Sequence, residues 1–227
     1  MRLGWRDEPE EQPEGEQAPM SVRVVVARER AVWNAAVKSA PRADLLQSWE
    51  WGEFKRMSGW EPLRALALDD DQPVAGVQLL SRRVMGVPSL YAPRGPWWRD
   101  DASGHAGLET LIGWLRRQRP ASAPFLRIDP PVTEPSLLTT LGFRQAPRQV
   151  QPRATIVVDL GSDPEQLLAA FNSRVRYNAR HAIKKGVEVS EGGVEDARAF
   201  WELLSATAER KGFIERDLSY FTQLMQV

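Results

Sequence analysis

Two β-rich runs joined by a short polar turn constrain this chain more than any other feature. Leu63 to Leu68 and Val74 to Val84 flank Asp69 to Gln72, a spacing that predicts an antiparallel hairpin. Ser89 to Ala92 supplies a third strand. Ahead of the hairpin, Ser21 to Ala27 alternates as a strand, and Arg28 to Ala40 reads as a helix carrying Ala31, Val32, Ala35 and Ala36. A second helix, Ser48 to Met57, sets Trp49, Trp51, Phe54 and Trp60 close to Lys55. After the third strand, Gly104 to Arg119 reads as a helix with Leu108, Leu111, Ile112 and Leu115 inward, followed by a strand from Phe125 to Asp129. Glu134 to Leu141 is a short helix, and another strand is expected after Gly142 and Phe143. Strands and helices mixed in this order predict an α/β domain of the α+β kind.

A second unit is expected from residue 154 onward. Thr155 to Val158 reads as a buried strand closed by Asp159 and Gly161. One long helix should follow, with Ser162 and Glu165 as a capping box, Pro164 in the first turn and Gly186 as the stop. Leu168, Phe171, Val175, Ala179 and Ala182 recur at three and four residues, so that stripe is expected to be buried. The rest of the helix surface carries Arg174, Arg176, Arg180, His181, Lys184 and Lys185, and no acid lies between Asn172 and Gly186. Like charges at i, i+4 spacing oppose the helix mildly, which points to an anionic partner for Arg176 and Arg180. Tyr177 and Asn178 add a stacking surface and an amide. Lys184 and Lys185 also read simply as a solvated end matched to the helix dipole. A strand at Val187 to Val189 and a helix from Glu195 to Lys211 complete the pattern, with Phe200, Leu203, Leu204 and Thr207 inward and Gly212 as the stop. With so few strands, this second unit is expected to be incomplete.

Composition excludes several classes. The 227 residues carry no formal net charge, so any polyanion must meet a local patch rather than the whole surface. No cysteine is present, which removes disulfides, thiolate nucleophiles and Cys-based metal sites. The two histidines, His105 and His181, stand in unrelated contexts, and no metal-ligand spacing occurs. Neither a metal nor a cofactor is expected. Residues 1–19 hold two arginines and six acids among Pro, Gln and Gly, and read as a disordered acidic tail without a secretory signal. A cytoplasmic protein follows.

The segment R-Y-N-A-R-H-A-I-K-K-G-V-E-V, after Q-P-R-A-T-I-V-V-D-L, resembles the FemABX family of peptidoglycan-bridge aminoacyltransferases. QSWEWGEFK (47–55), LYAPRGP (90–96), FLRIDPP (125–131), LGFR (141–144) and ERKGFIERDLSYF (209–221) fit the same family in the same order. The resemblance implies tandem GNAT-like acyltransferase domains, the first at 20–153 and the second, incomplete, at 154–227. The element order of the first unit agrees with that fold. An acetyl-CoA-dependent GNAT enzyme carries an [RQ]-x-x-G-x-[GA] turn after its third hairpin strand to cradle pyrophosphate. Here that loop is Pro93, Arg94, Gly95, Pro96, Trp97 and Trp98, so an ordinary coenzyme A site is not expected. Trp97 and Trp98 either line a substrate groove or pack on the sheet.

The resemblance further implies transfer of an amino acid from aminoacyl-tRNA to an amine of a muramyl peptide precursor, lipid-linked or UDP-linked, at or near the inner face of the plasma membrane. In the family the lysine of the W-x-x-F-K segment holds substrate phosphate, and Lys55 matches it. Tyr91 and Arg94 match the Y-x-P-R-G-P segment that borders the precursor, with Asp100 or Asp101 as the acid that follows. Arg176, Tyr177 and Arg180 join the candidate substrate-binding residues, and Arg174, Lys184 and Lys185 are the candidate tRNA contacts. No catalytic residue is assigned. Two alternatives stand beside this reading: a GNAT-type N-acyltransferase with another acyl donor, and a non-catalytic RNA-binding or scaffold protein.

Overall fold

A computed structural model describes residues 21–152 and 154–227. The acidic tail expected at 1–19 lies outside the described residues. The chain divides into two compact units, the first ending at Phe143 and the second running from Arg144 to Val227.

The first unit is a mixed α/β layer structure. Its elements are β1 (Arg23–Val26), α1 (Arg30–Ser39), α2 (Trp49–Met57), β2 (Glu61–Asp69), β3 (Gln72–Val84), β4 (Val87–Pro93), β5 (Trp97–Trp98), α3 (Ala102–Gln118), β6 (Leu126–Asp129) and α4 (Ser136–Thr140). The sheet runs β1-β2-β3-β4-β6, with β5 paired to β3 beyond the point where β4 leaves it. All pairs are antiparallel except β4 with β6. The expected hairpin is β2–β3, and its turn holds Asp70 and Asp71 at positive φ, the backbone a two-residue turn needs to match strand twist.

Each sheet face has its own core. On one face α3 buries Leu108, Leu111, Ile112 and Leu115 against Ala65, Ala67, Val77, Leu79, Leu90 and Ala92, with the inward residues the heptad spacing predicts. Each such leucine contributes about 1.5–3 kcal/mol. On the other face α1 packs Trp33, Ala36 and Val37 against Leu66 and Trp97. This corrects the expected apolar stripe of α1: Ala31, Val32 and Ala35 are exposed, because the large Trp33 and Val37 take the face. Trp97 and Trp98 are buried as β5 and pack on the sheet.

A buried polar knot fixes α2 to this second face. The Gln47 side chain accepts from Gln78 N at 2.7 Å and donates to Gln78 O at 3.3 Å and Pro93 O at 2.7 Å. It thereby bridges β3 and β4 where their ladder, last paired at Leu80 and Tyr91, comes apart. The Gln78 amide donates to Ser48 O at 2.8 Å and accepts from Arg64 Nε at 2.7 Å. Arg64 also donates to Trp49 O and to Glu53, and its guanidinium lies 3.7 Å from the Trp49 ring centre. Burial lowers the Arg64 pKa, and the Glu53 carboxylate opposes that shift.

The second unit differs more from expectation. Its elements are α5 (Pro164–Ala170), α6 (Ser173–Lys184), α7 (Ala197–Lys211) and α8 (Leu218–Leu224), with no strand among the described residues. Residues 155–158 and 187–189 form no ladder; Ile156 is 88% and Val189 94% exposed. Their β-branched side chains suit a pleated surface, but a strand needs a partner that these segments do not meet. The strand expected after Phe143 is likewise absent, and Phe143 instead packs on the first unit's core. The single helix expected from Ser162 is two helices. Asp163, not Ser162, caps α5, and Asn172 restarts the chain by accepting from Val175 N at 3.0 Å. Asn is a strong cap and so competes with helix continuation. The stripe expected to be buried is not: Phe171 and Val175 are exposed, and Leu168, Ala179 and Ala182 are half-buried. In α7 the buried residues are Ala197 and Ala208, while Phe200 and Leu203 are exposed. Gly186 and Gly212 end their helices at positive φ, as expected. No described helix is long and apolar enough to cross a membrane.

A Cβ at Gly52 would lie 2.2 Å from both Arg64 Nη2 and Gln78 Oε1. Gly52→Ala is therefore expected to destabilise the protein by about 1–3 kcal/mol in urea titration. Gly113→Ala, at a helix-interior position whose nearest neighbour would be Arg117 Nη1 at 3.5 Å, is expected to stabilise it by up to about 1 kcal/mol.

Candidate functional site

Strand alternation builds the first cluster. The register pairs Tyr91 with both Leu80 and Arg127, and Pro93 with Asp129, so Tyr91, Arg127 and Asp129 lie on the sheet face that carries α2. Leu90, Ala92, Leu126 and Ile128 take the opposite face, in the core beneath α3. Tyr91 Oη donates to Asp129 Oδ2 at 3.3 Å, and Asp129 N donates to Gly95 O at 3.0 Å. Beyond the end of β4, Arg94 adopts φ 50° and its largely buried guanidinium stands 3.8 Å from Asp44 Oδ2. Asp44 also accepts from Leu46 N at 2.8 Å. Gly95 has no room for a side chain, since a Cβ would come within 2.5 Å of the Gln47 amide. Tyr91 and Arg94 lie at the same end of β4, each facing a carboxylate. The arrangement offers a phenol, a cation and two carboxylates at the carboxyl ends of two parallel strands.

Asp44, Gln47 and Asp129 carry this geometry although sequence reasoning gave them no role. A signal for Asp129 was present. Arg127 and Asp129 alternate with Leu126 and Ile128, which marks a strand with one polar face. Gln47 opens the QSWEWGEFK segment, but no local pattern marks its role or that of Asp44, since the partners of both lie across the fold.

Lys55 sits in the last turn of α2. Its ammonium is 5.4 Å from the Trp51 ring centre and 5.3 Å from that of Phe54, within cation–π range. Of the aromatics around it only Phe54 is fully buried; Trp49, Trp51 and Trp60 are half-buried. The Trp51 indole N–H is shielded from solvent and has no hydrogen-bond partner among the described residues.

Asp100 and Asp101, expected as the acid after Y-x-P-R-G-P, have structural engagements. Asp100 pairs with Arg42 at 2.8 Å, and that hydrogen bond lowers its pKa. Asp101 caps α3, accepting from Ser103 Oγ and from Gly104 N at 2.8 Å, and these bonds hold its carboxyl below the usual range. His105 follows in the first turn of α3.

In the second unit the cationic residues of α6 divide by environment. Arg176 is half-buried, and its guanidinium donates to Ala169 O at 3.2 Å and to Phe171 O, satisfying carbonyls left open where α5 ends. It acts as a brace across the helix break. Arg174, Arg180 and Lys184 are exposed, as is Lys185 at the helix end. The Tyr177 and His181 rings stack with centres 5.7 Å apart and planes 11° off parallel. An exposed aromatic pair beside unopposed cations suits a nucleotide base and its phosphate.

The FemAB family profile matches residues 138–227. Over 208 residues, 84% of this chain, the sequence is 33% identical to the Lipid II:glycine glycyltransferase of Staphylococcus haemolyticus (strain JCSC1435), and the match covers 49% of that protein. The protein of the same name from Staphylococcus saprophyticus is 32% identical over 207 residues, with the same coverage. The crystal structure of FemX matches 90% of this chain and 54% of its own, with a TM-score of 0.75 and 29% identity. The chain spans about half the length of the relatives it matches.

Asp101→Ala is expected to lower the melting temperature at neutral pH through loss of the α3 cap. The Asp101 pKa is lowered on folding, so the charged cap contributes above the unfolded value and its contribution fades as pH falls through the folded value. Thermal melts of wild type and variant should therefore converge on acidification below the ordinary aspartate range.

Proposed function

We propose that the chain belongs to the FemAB family and works as an aminoacyltransferase, moving an amino acid from aminoacyl-tRNA to an amine of a lipid-linked muramyl peptide. The observation that supports this reading is its likeness, over most of its length, to glycyltransferases named for lipid II. Such a substrate places the reaction beside the membrane face where the precursor resides.

The chemistry suits a protein without an activated nucleophile. The acceptor amine attacks the ester carbonyl carbon, a C–N bond forms, and the C–O bond to the terminal ribose breaks. The amine gives up a proton and the departing ribose oxygen takes one. Since the ester is already activated, positioning and stabilisation of the transient oxyanion supply most of the rate. In this reading Lys55 and Arg94 bind the precursor's phosphates, and Tyr91, oriented by Asp129, borders its peptide. Charge-assisted bonds from a guanidinium held beside Asp44 need little reorganisation on binding. On α6, Arg180 and Tyr177 are the substrate contacts, and Arg174, Lys184 and Lys185 meet the tRNA backbone. Arg176 acts indirectly, because its donors already serve the end of α5.

The test is incubation of the protein with charged tRNAs and either a UDP-linked or a lipid-linked muramyl pentapeptide, read by mass spectrometry. A mass gain of one amino-acid residue on the precursor is expected, and its absence with every donor and acceptor would overturn the reading. Lys55→Ala and Arg94→Ala are each expected to weaken precursor binding in calorimetry by about 1.5–3 kcal/mol, roughly tenfold or more, with the melting temperature of Lys55→Ala unchanged. Lys184→Ala with Lys185→Ala should instead weaken tRNA binding and flatten its salt dependence.

A further inference from the structure

The turn between β3 and β4 is built against the ordinary rules for a solvated hairpin. Met85 and Gly86 form its tip, both at positive φ, and Met85 is 98% exposed. A left-handed turn position favours Asn, Asp or Gly, and an exposed one gives an apolar side chain nothing to pack on. Neither backbone preference nor packing accounts for methionine there. Val84 and Val87, paired across the turn, are exposed as well. Arg82 and Arg83 follow immediately down β3, both exposed.

Behind the tip lies a cavity of about 460 Å³ that joins this hairpin to the end of α3. Leu63, Leu79, Leu90, Leu115 and Leu126 form its apolar wall, and Arg82, Arg83 and Arg119 stand among its lining. Phe125, next to Leu126, is exposed. Charge on this edge is predominantly positive. No acid occurs from Gly76 to Arg99 or from Thr110 to Ile128, and the one acidic lining residue, Glu61, is 3.9 Å from Arg56. Arg82 is held by stacking 4.3 Å from the Trp60 ring centre, and Arg83 donates to Gly86 O at 2.9 Å, so both cations are anchored at the base of the apolar tip.

We infer that the β3–β4 tip and its arginine rim dock the protein onto an anionic phospholipid bilayer, with Met85, Val84 and Val87 entering the boundary between headgroups and acyl chains. An apolar wedge with guanidinium groups one residue behind it matches the depth profile of such a surface: hydrocarbon at the tip, phosphate at the arginines. The inference deepens the functional reading by naming the surface that faces the membrane, and rests on that reading only for the lipid-linked form of the acceptor.

Vesicle co-sedimentation tests it. The protein is expected to pellet with vesicles of phosphatidylcholine and phosphatidylglycerol, and not with phosphatidylcholine alone. Met85→Asp and the double variant Arg82→Gln, Arg83→Gln should each cut that binding by about tenfold or more, while Val189→Asp, an equally exposed apolar site on the second unit, leaves it unchanged. Because the chain contains no cysteine, Met85→Cys accepts a single environment-sensitive fluorophore, whose emission should shift to the blue on adding anionic vesicles. No pelleting with anionic vesicles, equal pelleting with uncharged ones, or binding indifferent to Met85→Asp would overturn the inference. Met85→Asp should keep wild-type turnover of the water-soluble UDP-linked precursor. If wild type and variant are both inactive on it while vesicle binding follows the expected pattern, the functional reading fails and the docking surface stands.

Discussion

The first unit depends on the buried contact between the Gln47 side chain and the backbone of Gln78. Where β4 parts from β3 beyond Tyr91 while still paired with β6, a sheet would otherwise leave open backbone donors and acceptors in its interior. The Gln47 amide takes their place, accepting from one strand and donating to both. An amide can do this because it carries a donor and an acceptor in the same plane as a peptide group. The second glutamine, Gln78, then ties the start of α2 to the sheet, and Arg64 closes the network with Glu53 and the Trp49 face. Every polar group named in this knot has a partner, which is the condition under which a buried polar network specifies one arrangement rather than weakening the core.

That splay has a chemical consequence. Once β4 is free of β3, the chain after Pro93 can turn sharply, and the close approach of Gly95 to Gln47 sets its path. Arg94 is directed to Asp44 and Tyr91 to Asp129. An ion pair and a hydrogen bond hold these side chains in place. Side chains fixed in this way lose less of any later interaction to ordering. The α6 face is organised differently: exposed cations, a stacked ring pair and a brace at its base, an arrangement suited to a flexible polyanion and less to a fixed small group.

Much of the first unit was legible in the residue pattern. The α3 core positions, the β2–β3 hairpin and the order of elements follow from periodicity, since each is decided by neighbours close in sequence. The error at α1 came from counting small apolar residues where one tryptophan, Trp33, outweighs several alanines in buried area. The second unit was less legible for a physical reason. Residues 155–158 have the side chains of a strand, yet strand formation is a property of pairs of segments, and the described residues offer no partner. The helix break at Asn172 was visible in principle, because Asn is a better cap than a helix interior residue, but the regular stripe on either side masked it.

The sequence alone determined where polar and apolar character alternate, which segments carry unopposed positive charge, and the order of motifs that carries the family likeness. Only the tertiary structure decided that Asp129 faces Tyr91, that Asp44 faces Arg94, that Arg176 spends its donors on the backbone, and that the two glutamines form the joint of the sheet. The difference is one of range. Periodicity and capping are local and act through residues a few positions apart, whereas the partners of a buried amide or an ion pair lie tens of residues away, and only the folded chain brings them within hydrogen-bonding reach.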